Sequence, residues 1–152
     1  MKVRGFEIAK GWEDKDIHFP IRKTMYSAGY DIEAAEDTVI PSYQRGDHPT
    51  LVPTGLKAYM QDDEVLFLYN RSSNPKKKGL VLANAVGVID KDYYGNVDND
   101  GHILFAFYNY KKEDVLIRKG EVIGQGVFSK YFLVDDDQAT GLRNGGFGST
   151  ER

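Results

Sequence analysis

The sequence predicts an all-β protein, because short runs with a strand period alternate with turn signals along most of the chain. About ten such runs occur, and no long amphipathic helix interrupts them. The 152 residues contain neither an internal repeat nor a composition shift that would mark a linker. A chain of this length fits one domain of ordinary size. The pattern therefore predicts a single sandwich, jelly roll or barrel.

The composition restricts the class of function. Hydrophobic residues make up 41% and charged residues 28%, as in soluble globular proteins. The net charge of -3 disfavours binding of nucleic acid by bulk electrostatics. The absence of cysteine excludes disulfides, thiolate zinc sites and cysteine nucleophiles, and the three histidines lack zinc-ligand spacing. No signal-peptide region or membrane-length apolar run occurs, so we expect a cytoplasmic protein that binds no membrane.

In the N-terminal half, the predicted strands lie within residues 2–10, 27–41, 51–60 and 64–69, with another element starting at Val39. Tyr30, Ile32 and Ala34 alternate with more polar residues, which is the period of a strand. Residues 11–26 show no period and are predicted to be a loop. An acidic turn at residues 61–63 is predicted to join the last two strands.

In the C-terminal half, residues 84–96 (NAVGVIDKDYYGN) are predicted to form one arm of a β-hairpin, since they alternate in strand fashion and close on Gly95 and Asn96. The predicted return strand is residues 103–110, after the turn signal at residues 98–101. Before this hairpin, Pro75 and Gly79 limit the segment NRSSNPKKKGL to a short helical turn. Further strands are expected at residues 115–117 and 122–134.

Residues 135–152 are acidic and then glycine-rich, without a hydrophobic pattern. They are predicted to be a flexible arm that follows a β domain of residues 1–134.

Several stretches carry groups that suit a phosphorylated ligand. The predicted hairpin holds a carboxylate, Asp90, three residues before an aromatic ring, Tyr93. Arg71, Ser72 and Ser73 offer a guanidinium and two hydroxyls for anionic oxygens, although a surface arginine beside a serine turn is the simpler reading. The arm sequence RNGGFGST combines an arginine with glycines that let backbone N–H groups close on an anion, but a disordered tail has a similar composition.

Two readings involve metals. Asp31 is a strand carboxylate that serves either as a salt-bridge partner or as a contact to a metal on phosphate oxygens. The turn at residues 98–101 has the alternating Asx residues of a calcium loop, but the twelfth position is Phe107 instead of glutamate, so calcium is rejected. Together the groups suit a nucleoside polyphosphate with Mg²⁺, and Asp90 is the candidate for orienting a water. From the residues alone, a phosphohydrolase and a nucleotide-binding β domain both remain open.

Five motifs in order, SAGYDI, NRSSNPKKKGL, NAVGVIDKDYYGN, GEVIGQ and RNGGFGST, resemble those of the trimeric dUTPases (deoxyuridine 5′-triphosphate nucleotidohydrolases), and they span residues 27–150. The resemblance implies a β-jelly-roll that forms a homotrimer, with active sites at the subunit interfaces. It also implies hydrolysis of dUTP to dUMP and pyrophosphate with Mg²⁺, which limits uracil in DNA and supplies dUMP for thymidylate synthesis.

The resemblance further implies roles for individual residues. Asp90 would activate the water that attacks the α-phosphorus, and Tyr93 would stack beneath the deoxyribose. The uracil edge would be read by Asn84 and by the backbone of Gly87, Val88, Ile89 and Asp90. The phosphates would be held by Arg71, Ser72, Ser73 and Gln125, and Asp31 would contact Mg²⁺ through water. The arm would close from a neighbouring subunit, with contacts from Arg143, Phe147, Gly148, Ser149 and Thr150.

Two alternatives and two departures accompany this resemblance. dCTP deaminase shares the fold but relies on a glutamate in the strand after the hairpin, where this chain has HILFAF. A non-catalytic module that keeps a nucleotide pocket is disfavoured by the intact Asp90, Arg71 and Phe147. Three residues separate Arg143 from Phe147, where many members have four, and the turn at residues 97–102 is longer than in compact members.

Overall fold

Short β-strands make up nearly all the regular structure of the computed structural model, which describes residues 1–146. The strands are β1 Gly5–Ile8, β2 Tyr30–Glu33, β3 Thr38–Ile40, β4 Thr50–Pro53, β5 Leu56–Tyr59, β6 Glu64–Asn70, β7 Leu80–Leu82, β8 Gly87–Asp90, β9 Leu104–Asn109, β10 Val115–Ile117 and β11 Val122–Lys130. One short helix, α1 Asn74–Lys78, and one 3₁₀ turn, Lys91–Tyr93, complete the set within this range. The all-β prediction is confirmed. No helix among the described residues has the length and apolar character needed to span a membrane.

The strands form four antiparallel sheets. The largest has the order β2-β11-β6-β8, and a second has the order β4-β9-β7. Two ribbons, β1-β5 and β10-β3, complete the sheets. Since most neighbours are distant in sequence, the fold depends on long-range pairing: β11, for example, pairs with both β2 and β6.

The hydrophobic core lies between these sheets and takes alternate residues from most strands. Leu66 and Leu68 of β6 and Phe105 and Phe107 of β9 are all at most 3% exposed, as expected for the inward face of a strand. The rings of Phe105 and Phe107 stack with centroids 6.1 Å apart. The other buried members of the core are Ile32, Ala34, Ile40, Val52, Leu56, Ala58, Met60, Leu80, Leu82, Ile103, Ile117 and Ile123.

The strand predicted at residues 51–60 is two strands. Gly55 interrupts it with a φ of 71°, a left-handed conformation that glycine adopts without strain. After this break β4 pairs with β9, whereas β5 pairs with β1. The acidic turn at residues 61–63 therefore joins strands of different sheets, because β6 pairs with β11 and β8.

The prediction that residues 84–96 and the strand at residues 103–110 form a hairpin is wrong. Within the described residues β8 pairs with β6, while β9 pairs with β4 and β7. The chain between β8 and β9 forms the 3₁₀ turn and then a compact loop, in which the Gly95 N–H donates to the carbonyl of Asp100 over 2.9 Å. Residues 97–102, here called the tip loop, thus fold back on the turn instead of leading into a ladder.

The short helix and the last strand define what surrounds the predicted site. Pro75 occupies the first turn of α1 and Gly79 ends the helix with a φ of 67°, as the sequence predicts. β11 ends at Lys130, short of the predicted residue 134. Residues 131–134 instead form an exposed apolar segment, with Phe132 95% exposed.

Candidate active site

β8 and the 3₁₀ turn position the two residues that organise the predicted site. Asp90 is the last residue of β8, opposite Val65 of β6, and its side chain is 52% exposed. Tyr93 ends the 3₁₀ turn and is only 6% exposed. Burial raises the pKa of the Tyr93 hydroxyl, while a hydrogen bond from Asn99 opposes that shift. The site thus presents an accessible carboxylate beside a buried, uncharged ring.

A cavity of about 190 Å³ opens between these residues. Six residues predicted to bind nucleoside line it together, namely Asn84, Gly87, Val88, Ile89, Asp90 and Tyr93. Leu68, Leu104, Arg143 and Gly146 complete the lining. The cavity has both apolar walls and groups that can form hydrogen bonds, as expected of a site for a flat polar base.

The backbone of β8 is available to a ligand along one side. β8 is the outer strand of its sheet, so one side pairs with β6 and the other has no strand partner within residues 1–146. An unpaired edge offers N–H and C=O groups in a fixed row. Gly87 keeps this wall close-packed, since a Cβ at that position would lie 2.9 Å from the Cβ of Leu68.

Arg143 brings the arm to the cavity. Its Nη2 donates to Asp90 Oδ2 over 2.6 Å and its Nε donates to Asp92 Oδ1 over 2.7 Å. The guanidinium carbon lies 5.9 Å from the centre of the Tyr93 ring, and the side chain is 10% exposed. The structure therefore places Arg143 on carboxylates of its own chain.

The predicted phosphate ligands form a second group. Arg71, Ser72 and Ser73 lie between β6 and α1, and the Arg71 guanidinium reaches the carbonyl of Val122 at the start of β11 over 3.5 Å. Lys78 is close by: its pKa is lowered, first by burial and then by the charge of Arg71. Lys78 is ion-paired with Glu121, so the guanidinium of Arg71 and the two serine hydroxyls are the groups that this surface offers to a polyphosphate.

Gln125 and Asp31 lie on the same sheet as this phosphate group. In β11, Gln125 is paired with Tyr69 of β6 on one side and with Asp31 of β2 on the other. Cross-strand partners project to the same face of a sheet, so Gln125 and Asp31 share one surface. Gly29 packs against Gln125, because a Cβ at position 29 would lie 1.8 Å from its Oε1.

Within one chain the two groups are separate. Gln125 pairs with Tyr69 of β6, and Asp90 pairs with Val65, four positions further back. Four residues of a strand span about 13 Å. Neither Arg71 nor Gln125 lines the cavity that holds Asp90 and Tyr93. Phe147, Gly148, Ser149 and Thr150 lie outside the described residues.

The residues present fit a magnesium ion that is bound mainly through phosphate. No group of three or more His, Cys, Asp or Glu side chains within residues 1–146 could hold an ion by itself. Asp31 has a 28% exposed carboxylate whose nearest cation, Lys23, is 3.9 Å away. Mg²⁺ commonly keeps several waters and takes one or two carboxylates together with substrate phosphates. A single carboxylate beside the phosphate group matches that donor set.

Sequence reasoning missed three residues that shape the site. Asn74 is 1% exposed and donates to Asn70 Oδ1 over 2.9 Å and to the carbonyl of Ile123 over 3.0 Å, which ties α1 to β6 and β11. Asp92 shares Arg143 with Asp90, and Asn99 contacts Tyr93. The spacing of Asp90 and Asp92 could have indicated that one cationic side chain binds both carboxylates. The contacts of the two asparagines form only in the folded chain, so no local sequence pattern indicates them.

Comparisons with known proteins all indicate the same family. The dUTPase family model matches residues 15–151. The deoxyuridine 5′-triphosphate nucleotidohydrolase of Lactococcus lactis subsp. lactis (strain IL1403) is 55% identical over 152 residues, covering 99% of both chains. A relative of the same name from Escherichia coli O45:K1 is 35% identical over 144 residues, covering 91% of this chain and 90% of the relative.

Solved structures agree with the fold. The crystal structure of the dUTPase from Streptococcus mutans superposes with a TM-score of 0.79 at 48% identity, covering 86% of this chain and 98% of that one. A variant dUTPase from the Staphylococcus aureus phage phi11 gives a TM-score of 0.72 at 18% identity, covering 91% and 97%, which is a likeness of fold alone. The jelly-roll prediction is confirmed, and the chain belongs to the dUTPase family.

Proposed function

We propose that this protein hydrolyses dUTP to dUMP and pyrophosphate, with Asp90 activating the attacking water. The observation that carries the proposal is the joint placement of Asp90 and Tyr93 at one cavity that Asn84 and the free edge of β8 also line. The family membership supports the reaction, and the geometry supports the assignment of these residues to it.

The cavity suits uracil and deoxyribose. The edge of β8 can pair with the polar edge of a pyrimidine, and the cavity that this edge lines has a volume of only about 190 Å³. The ring of Tyr93 would lie beneath the sugar, where a 2′-hydroxyl would collide with it. Steric exclusion by the ring is a suitable way to reject ribonucleotides, since an open apolar pocket discriminates only weakly against an added hydroxyl.

The chemical step needs a water in line with the leaving group. The water oxygen bonds to the α-phosphorus, the bond from that phosphorus to the bridging oxygen breaks, and pyrophosphate leaves. Asp90 accepts the proton of the water, for which its exposed carboxylate at the cavity mouth is suitably placed. Arg71, Ser72, Ser73 and Gln125 would hold the phosphates and stabilise the developing charge.

Asp31 would hold a substrate-bound magnesium ion through water. When bound, Mg²⁺ neutralises charge on the phosphate oxygens. The phage phi11 dUTPase coordinates a structural Mg(II) ion.

We infer that the active unit is a homotrimer whose sites combine residues of different subunits. The phosphate group and the Asp90 group of one chain do not share a cavity, since neither Arg71 nor Gln125 lines the one that holds Asp90 and Tyr93. The apolar segment at residues 131–134 supports assembly, because Phe132 and Val134 are 95% and 76% exposed in the single chain. Residues 143–150 of the arm would then contact the γ-phosphate and the base, with Phe147 over the uracil.

A pyrophosphate-release assay tests the function. With Mg²⁺ present, dUTP should release pyrophosphate far faster than dTTP, dCTP or UTP. Asp90→Asn should keep nucleotide affinity but lower kcat by about 100-fold or more, since general-base catalysis commonly contributes that much. Equal rates with all four nucleotides would refute the substrate assignment, and an unchanged kcat in Asp90→Asn would refute the role of Asp90.

A further inference from the structure

The hydroxyl of Tyr93 is held from two sides by the tip loop. It donates to the backbone carbonyl of His102 over 2.6 Å and accepts from Nδ2 of Asn99 over 2.8 Å. A phenol hydroxyl has one proton to donate and can also accept, so it donates in one contact and accepts in the other. The ring is therefore fixed at its far end as well as by its packing.

The orientation of the Asn99 amide follows from its other partners. Its Oδ1 accepts from the backbone N–H of Gly101 over 3.1 Å and from the Nδ2 of Asn96 over 2.8 Å. A backbone N–H can only donate, so the oxygen must face Gly101 and the NH₂ must face Tyr93. Asn99 thus acts on Tyr93 as a donor.

Neighbouring residues hold Asn99 in place. Asn96, directly before the tip loop, is 9% exposed and donates both to Asn99 Oδ1 and, over 2.7 Å, to the backbone carbonyl of Tyr93. Gly101 has a φ of 90°, and a Cβ there would lie 2.8 Å from the Cα of Tyr94. The loop closes tightly against the 3₁₀ turn, which leaves Asn99 little freedom to move.

We propose that Asn99 is a positioning residue for sugar selection: through the Tyr93 hydroxyl it holds the ring where a deoxyribose fits and a ribose does not. The inference rests on the proposed function, in which the ring lies beneath the sugar. It assigns a role to the tip loop.

The arm meets the same loop. The N–H of Gly146 donates to Asp98 Oδ2 over 2.9 Å, and a Cβ on Gly146 would lie 3.2 Å from Nδ2 of Asn99. A side chain at position 146 would therefore press against this amide.

The decisive variant is Asn99→Asp, which keeps the size and the acceptor oxygen but replaces the donor by a second acceptor. The Tyr93 hydroxyl would then face two acceptors with one proton and would lose one of its two hydrogen bonds. Val97→Asp is the matched control, because it adds the same charge to the same loop on a side chain that is 83% exposed.

The measurement is the ratio of kcat/KM for dUTP to kcat/KM for UTP. Asn99→Asp should lower this ratio by roughly twofold to tenfold, the range expected for one hydrogen bond. Tyr93→Phe, which removes the shared hydroxyl, should lower it similarly. Adding Asn99→Asp to Tyr93→Phe should then cause no further loss, since the two changes remove the same contact. Val97→Asp should retain the ratio of the wild type.

Three results would overturn the inference. The first is a wild-type ratio in folded Asn99→Asp, which would leave the proposed function intact. The second is an equal loss of kcat/KM for both nucleotides, which would mean that Asn99 only maintains the loop. The third is a full effect of Asn99→Asp in the Tyr93→Phe background. A wild-type enzyme that does not prefer dUTP over UTP would overturn the proposed function together with this inference.

Discussion

Nη2 of Arg143 donates to Oδ2 of Asp90 over 2.6 Å, joining residues that are 53 positions apart in the chain. The Nε of the same guanidinium reaches Asp92, so one planar group bridges two carboxylates. Arginine is suited to this role because its donors form a fixed fork. The carboxylate proposed to activate water is therefore also the anchor of the arm, and a triphosphate would compete with it for the guanidinium.

Replacing Arg143 tests the importance of this fork. Arg143→Ala should raise KM for dUTP by about tenfold or more, since a hydrogen bond to a charged group commonly contributes that much. Arg143→Lys should recover only part of the loss, because an ammonium is a point charge that cannot bind phosphate oxygens through two parallel donors. Steady-state kinetics provide the comparison, with Leu142→Ala, a neighbour that is 94% exposed, as control. A fully active Arg143→Lys enzyme would show that charge alone suffices.

Removing the end of the arm should separate catalysis from assembly. Deletion of residues 142–152 is expected to abolish efficient dUTP hydrolysis while the chain still forms the same oligomer, because β11 and residues 131–134 remain. Pyrophosphate release and sedimentation velocity measure the two properties. Deletion of residues 151–152 alone removes no part of the five motifs and should leave both unchanged. Full activity of the longer deletion would mean that the arm has no role in turnover.

Gly124 should tolerate no side chain. A Cβ there would lie 2.4 Å from Cε2 of Phe105 in the core and 2.6 Å from the backbone carbonyl oxygen of Tyr69 in the neighbouring strand β6. Gly124→Ala should therefore lower the free energy of unfolding by about 1–3 kcal/mol, the usual cost of overpacking. Gly141→Ala is the control, since nothing lies within 4 Å of its added Cβ. Equal denaturation midpoints for the two variants would contradict the prediction.

His102 should make the fold sensitive to acid. Burial lowers its pKa to about 4 from an ordinary 6.5, and its Nε2 accepts the N–H of Gly55 over 2.9 Å. Between these two values the unfolded chain binds a proton that the folded chain does not, so this contribution is complete above pH 6.5 and is lost as pH falls toward 4. Glutamine can accept the same N–H without titrating in this window.

Denaturant unfolding of wild type and His102→Gln across pH 7.5 to 4 measures this effect. The stability of the wild type relative to the variant should decrease as the pH falls below 6.5. Trp12 is the only tryptophan and its ring lies 5.2 Å from that of His102, so its fluorescence reports on the same region. A constant difference across the range would exclude the histidine as the source.

The sequence predicted what depends on local pattern. Period-two alternation located β2 around Tyr30 and Ile32, and Pro75 with Gly79 limited α1 to a short helix. It failed where pairing is decided by distant segments: β8 takes β6 as partner instead of the nearby β9. Gly55 was a possible signal of the break between β4 and β5, but a glycine within a strand pattern is also compatible with an uninterrupted strand.

The candidate site was predictable to the same extent. The residues around Asp90 and Tyr93 lie on one short segment, so their proximity follows from the sequence alone. The contact of Arg143 with Asp90 depends on where the arm folds, and the role of Asn99 depends on an amide orientation set by Gly101. These contacts arise only in the folded chain.

The separation of the phosphate group from the cavity of Asp90 and Tyr93 within one chain has a genetic consequence. Suppose that one gene copy encodes Asp90→Asn and another encodes Arg71→Ala, each inactive by itself. In a mixed form of the proposed trimer, one site would combine the intact phosphate group of the first chain with the intact Asp90 and Tyr93 cavity of the second. Two defective alleles would then restore activity when they are expressed together, whereas two alleles with defects in the same half would not.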